Sequence, residues 1–92
     1  MRLYAKQLAP HSIRVNTVHP TGVNTPMVAN AEYGEFINTH PDVAADESFK
    51  NPMPVELVES VDISNAILYL ASDEGRYVTG VTFPVDAGYN IR

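Results

Sequence analysis

VNTVHPTGVNTPM, Val15 to Met27, decides how the chain is read. Its first residues are β-branched and belong to a weakly alternating run, IRVNTV (13–18), which predicts a strand. His19 to Gly22 then predicts a turn, because a Pro-x-Gly sequence breaks an extended run. Thr25 is placed to cap a helix beginning at Pro26, since proline at the first helical position gives up only an N–H that would be unpaired anyway.

On the amino-terminal side, Met1, Leu3, Ala5, Leu8 and Ala9 approximate a helical stripe over residues 1–9, and Pro10 should stop it. No Ser, Thr, Asp or Asn precedes the stripe, so the chain reads as if it begins inside a helix. On the carboxyl-terminal side lies a poorly patterned segment, 27–59. It suggests one or two short helices broken at Gly34, then a stretch carrying Pro41, Pro52 and Pro54. Such a segment is expected to be a lid or an insertion. VDISNAILYLAS (61–72) is the clearest helix, with Val61, Ile63, Ala66, Ile67, Leu70 and Ala71 on one face and Asp62 in the first turn. VTFPV (81–85) predicts a short strand, and Pro84 implies that one side of it lacks a neighbour or is bulged.

Two strands joined by a long helical crossover should lie parallel. Two strands are few for a parallel sheet, which ordinarily needs both faces covered. The expected fold class is therefore α/β, a part of a doubly wound parallel sheet comprising two strands, helices and a lid, within one domain over 1–92.

Composition narrows the function. The 92 residues carry a formal net charge of -5 with six Lys and Arg, scattered from Arg2 to Arg92. That excludes the basic face of a nucleic-acid binder and argues against an anionic membrane surface as partner. With no cysteine, disulfides, thiol nucleophiles and cysteine-held metals are excluded. No apolar run reaches the roughly 18 residues of a membrane span, and MRLYAKQLAP is too weakly apolar for a signal peptide, so a cytoplasmic location is expected. His11, His19 and His40 lack the spacing of metal ligands, and no metal site is expected. A nucleophile elbow, Gly-x-Ser-x-Gly, does not occur. Asp46–Glu47 reads as a solvated lid edge, and Tyr69 and Tyr77 as packing or interface residues.

Taken together, IRVNTVHPTGVNTPM, DISNAILYLASDEGRYVTG and VTFPVDAG resemble the carboxyl-terminal portion of the short-chain dehydrogenase/reductase family. Within it, HPTGVNTPM and PVDAG, separated by this lid, are most similar to the carveol-dehydrogenase-like, mycofactocin-associated subgroup. The resemblance implies a Rossmann-type sheet with a nicotinamide dinucleotide across the carboxyl ends of its strands, where ligands of such sheets sit. It places Pro20, Thr21, Gly22, Val23 and Thr25 along the nicotinamide. Val23 would offer backbone groups to the carboxamide, Thr25 its hydroxyl to the carboxamide or the diphosphate, and Gly22 a close backbone approach. The helix at Pro26 would turn its positive end toward the phosphates. Without the flanking blocks, Pro20-x-Gly22 is an ordinary turn and Thr25–Pro26 a helix cap.

The resemblance also implies a tyrosine and a lysine four positions apart, the tyrosine exchanging a proton with the substrate oxygen. Here the positions four after Tyr4, Tyr33, Tyr69 and Tyr77 are Leu8, Ile37, Asp73 and Val81, so the pair is absent and no catalytic residue is assigned. Gly22, Gly34, Gly75, Gly80 and Gly88 are too widely spaced for a pyrophosphate-binding turn. MRLYAKQLAP matches the half of the family's catalytic helix that follows the pair.

The expected function is therefore part of an oxidoreductase. It would use NAD, or NADP, since the residues that choose between them lie outside this match. The resemblance implies a small secondary alcohol or ketone as substrate; apolar Met27, Val28, Phe36, Ile37, Phe49 and Met53 of the lid suggest a hydrophobic one, and core packing explains them about as well. The chain by itself should be inactive. The alternative is a non-catalytic module that docks on full-length subunits. Homo-oligomers are expected from the family, through the helices matching 1–9 and 60–72 and the final strand.

Overall fold

The computed structural model describes residues 1–27, 30–44 and 50–91. Helix α1 spans Arg2–Leu8 without a side-chain cap and runs into a 3-10 turn, Ala9–His11, that ends at left-handed Ser12 (φ 59°). Strand β1 is Thr17–Pro20, α2 is Ala31–Thr39, and α3 is Pro41–Ala44. Helix α4, Ser60–Ala71, a 3-10 turn, Asp73–Gly75, strand β2, Thr82–Val85, and a last 3-10 turn, Tyr89–Ile91, follow.

The two strands pair in parallel, Thr17 with Thr82 through Pro20 with Val85, as the long crossover requires. The first strand lies further along the chain than IRVNTV suggests. Residues 15 and 16 run beside 78–81 but join it differently: Gly80 N–H donates to Val15 O (2.8 Å), and the Asn16 amide donates to Val78 O (2.9 Å) and accepts from Val81 N–H (3.0 Å). Gly80 is left-handed (φ 72°), which turns the partner strand out of the ladder at this point. At the other end the ladder passes through the expected turn to Pro20. Thr17 N–H bonds Val81 O and Thr21 N–H bonds Val85 O, so the odd residues of β1 face β2. Pro20 falls on an even position, where the missing N–H costs the ladder nothing. Pro84 stands opposite His19, and β2 has no second strand beside it among the described residues.

Helix α4 lies against both strands. Ala66 and Leu70 are buried, whereas Val61 (58%) and Ile67 (52%) of the same predicted face are exposed. Its first turn is closed by Asp62, whose carboxylate accepts from Glu59 N–H at 3.0 Å. Its last turn is capped by the Arg14 guanidinium, which donates to Leu70 O and, at 3.3 Å, to Ser72 O. Helix α2 departs from expectation in two ways. It continues through Gly34, and it starts at Ala31 rather than Pro26, because Asn30 Oδ1 accepts from Tyr33 N–H at 2.7 Å. Pro26 and Met27 form a turn whose carbonyls accept from the Asn30 side-chain amide. Among the described residues no helix is long and apolar enough to cross a membrane.

The packing is sparse. Ala5, Val58, Ala66 and Leu70 are the buried apolar residues, and none of the described side chains falls below 2% exposure. The radius of gyration is 16.7 Å, against about 12 Å for a compact domain of this length. Leu3 (64%) and Leu68 (66%) stand in water. Each such side chain forfeits roughly 1.5–3 kcal/mol, against about 5–15 kcal/mol for a whole domain. The purified 92-residue chain is expected to melt broadly in circular dichroism and to self-associate in light scattering. A sharp, reversible transition of a monomer would show a self-sufficient domain.

Candidate functional site at the strand ends

The turn expected to lie along a cofactor sits at the carboxyl end of β1, beside the end of β2. Pro20 is the last residue of the ladder, and Thr21 to Thr25 leave it. The turn does not stand free. Residues 51–58 return across it as a strap. Val58 N–H donates to Gly22 O (2.9 Å) and Val58 O accepts from Asn24 N–H (2.8 Å), forming an isolated parallel bridge between Val23 and Val58. In this bridge Val58 uses its own amide groups, whereas Val23 turns its N–H and C=O to the opposite side. The Val23 carbonyl accepts from Thr25 N–H at 2.8 Å. Its N–H is therefore turned away from Val58, on the side of the turn opposite the strap.

The remaining residues have distinct roles. Thr21 hydroxyl donates to Asn51 Oδ1 at 2.9 Å. A Cβ at Gly22 would lie 2.8 Å from Leu57 Cδ2, so the leucine side chain would have to shift to make room for it. Thr25 hydroxyl approaches Val23 O at 3.5 Å and does not cap a helix at Pro26. The helix dipole expected behind Thr25 is thus not formed at that position, because Asn30 supplies the cap five residues later.

Among the described residues the apolar lid side chains do not converge. Met53 lines an open groove of about 580 Å³ with Val55, Val58, Ala66, Tyr69 and Phe83. Phe36 stacks on His40, ring centres 4.2 Å apart, and Met27 is 89% exposed. Val28, Phe49, Asp46 and Glu47 lie outside the described residues. His19 meets its own strand neighbour, the Thr17 hydroxyl, at 3.0 Å, and no group of three His, Cys, Asp or Glu able to hold a metal occurs among the described residues. Tyr77 lies under the Arg76 guanidinium at 5.2 Å. The Glu74 carboxyl is held below the usual carboxylate range by hydrogen bonds from its own backbone and from Ser72, beyond the far end of α4.

Three strap residues, Asn51, Leu57 and Val58, escaped the sequence reading. Asn51–Pro52 carried a usable signal, since a residue before proline is biased toward extended backbone. Leu57 and Val58 carried none.

Residues 1–90 match the family described as enoyl-(acyl carrier protein) reductase. The chain belongs to the short-chain dehydrogenase/reductase family. It is 55% identical over 89 residues to an uncharacterised oxidoreductase of Mycobacterium tuberculosis, covering 97% of this chain and 32% of that protein. It is 44% identical over 98 residues to (-)-trans-carveol dehydrogenase of Rhodococcus erythropolis, covering 100% of this chain and 35% of the relative. The crystal structure of carveol dehydrogenase from Mycobacterium avium in complex with NAD superposes with a TM-score of 0.86 at 46% identity, over 100% of this chain and 35% of that one. The chain therefore spans about a third of the length of the relatives it matches, and its paired strands and helices are those of a Rossmann-type dehydrogenase.

Gly22→Ala should push Leu57 aside and cost about 1 kcal/mol, the low end for overpacking because a leucine methyl can rotate away. The expected readout is about fivefold faster amide exchange at Val58 and Asn24. Leu57→Ala in the same background should restore the slower rate. Unchanged exchange in the single variant would show that this contact does not hold the strap.

Proposed function

We propose that this chain is the carboxyl-terminal portion of an NAD-dependent oxidoreductase, supplying the nicotinamide side of the cofactor site and the substrate lid. The observation that carries this reading is the turn beyond the carboxyl end of β1, where the Val23–Val58 bridge leaves the Val23 N–H turned away from the strap. Ligands of doubly wound sheets lie beyond those strand ends. The NAD complex of the similar M. avium enzyme supports the cofactor class, with NADP left open. Within the site, Val23 N–H would donate to the carboxamide, Thr25 hydroxyl would stand beside it, and Pro20, Thr21 and Gly22 would set the course of the backbone. The cofactor supplies the hydride acceptor.

The substrate class is a small hydrophobic secondary alcohol or its ketone, in keeping with the carveol dehydrogenases to which the chain is similar. The proton partner of the substrate oxygen, a Tyr-x-x-x-Lys pair, is absent from these 92 residues and would precede them in the longer protein. A second reading, a non-catalytic module docking on longer subunits, draws on the exposed Val61, Ile67 and Leu68 of α4. It uses the same surfaces, including those through which homo-oligomers would form.

The experiment joins this chain to the R. erythropolis carveol dehydrogenase in place of the matching third. The chimera is expected to reduce NAD with carveol within about tenfold of the parent enzyme, a loss of no more than roughly 1.4 kcal/mol in the barrier. The isolated 92 residues should show no turnover. A chimera that melts cooperatively yet neither binds nor reduces NAD would overturn the oxidoreductase reading in favour of the docking module. Turnover by the isolated chain would overturn the assignment of the proton partner to a preceding segment.

A further inference from the structure

The strap crosses the carboxyl ends of both strands and is fastened at each. At β2, Met53 N–H donates to Ala87 O at 3.0 Å. Pro52 lies against Gly88, where a Cβ would come within 3.2 Å of the proline ring and where the backbone is left-handed (φ 86°). At β1, Val58 holds Gly22 and Asn24. Just ahead of these points the Asn51 side chain joins the strap to the turn. Asn51 Oδ1 accepts the Thr21 hydroxyl at 2.9 Å, and Asn51 Nδ2 donates to Val55 O at 2.8 Å and to Glu56 O at 3.3 Å.

The chemistry of this junction is selective. The group at 51 must accept on one side and donate to carbonyls on the other, which a primary amide does and a carboxylate does not. Pro52 restricts residue 51 to extended backbone, so the amide is presented with little loss of backbone freedom on folding. Thr21 sits two residues before Val23, and the carbonyls Asn51 holds sit two and three residues before Val58. The junction therefore closes the loop on which the Val23–Val58 bridge depends.

We infer that Asn51 is a positioning residue for the cofactor turn: through Thr21 it sets the orientation in which Val23 N–H is presented. The inference rests on the proposed function. It assigns Thr21 a role different from direct contact, because its hydroxyl proton is committed to Asn51.

The test uses the chimera with the carveol dehydrogenase and the steady-state constants for NAD. Asn51→Ala is expected to raise KM for NAD about fivefold, the effect of one ordinary hydrogen bond, with kcat within about twofold. Thr21→Val should do the same, Thr21→Ser should restore the parent value, and the double variant should be no worse than either single one. Asn51→Asp should resemble Asn51→Ala, since it keeps the acceptor but loses both donated bonds. The Thr21 pair keeps the inference testable if a substitution at 51 prevents folding. An unchanged KM in Asn51→Ala, or losses at 21 and 51 that simply add, would overturn the inference while leaving the oxidoreductase reading intact. A folded chimera that binds no NAD at all would overturn both.

Discussion

The parallel pairing of Thr17–Pro20 with Thr82–Val85 is the constraint on which the rest of the chain depends. Parallel strands put both carboxyl ends on one side, so every connection must travel back along the sheet before the second strand can start. That return is α4. Its ends are closed by different means: Asp62 closes the first turn on Glu59 of the same segment, and Arg14, just ahead of β1, caps the last carbonyls. Cation and helix carboxyl end attract, so the cap also fixes where the helix stops relative to the strand it covers.

At the carboxyl side of the pair, the strap does what a third strand would do in a wider sheet. It ties the ends of β1 and β2 together through Gly22, Asn24 and Ala87. A turn held in this way can present one backbone N–H outward at little entropic cost, because its neighbours already use their own donors and acceptors. The glycine in this turn illustrates how a family resemblance and a structure answer different questions. The resemblance explains Gly22 by the approach of a ligand; the geometry adds the Leu57 methyl that occupies the place of its missing Cβ.

The apolar surface has a simple physical origin. One two-stranded sheet and one helix cannot enclose a core, and among the described residues Ala5, Val58, Ala66 and Leu70 are the apolar side chains that are buried. Leu3, Ile67 and Leu68 are side chains of the type that larger α/β domains bury, and here they remain more than half exposed. This exposure accords with a chain that spans about a third of the length of its relatives. Among the described residues no strand pairs with the side of β1 away from β2, and such a side offers backbone groups of the kind to which other strands attach.

Local pattern determined much of this architecture. The stripe of α4, the proline that ends the first helix, the β-branched runs and the long connection between them set the elements and their parallel sense. Each of these depends on neighbours a few residues apart, or on the geometry of a crossover. The blocks in register also carried the family. The tertiary structure decided what local pattern cannot express. Asn30 rather than Thr25 begins α2, because both are good caps and the competition is settled by which carbonyls lie nearby. The ladder ends at Pro20 rather than Val18, because the parity of the parallel hydrogen bonds leaves a proline harmless there. Asn51, Leu57 and Val58 meet a turn some thirty residues earlier in the chain, as the Thr21–Asn51 bond shows. No period or short motif records such a meeting; it exists only once the lid has doubled back and the two strand ends stand side by side.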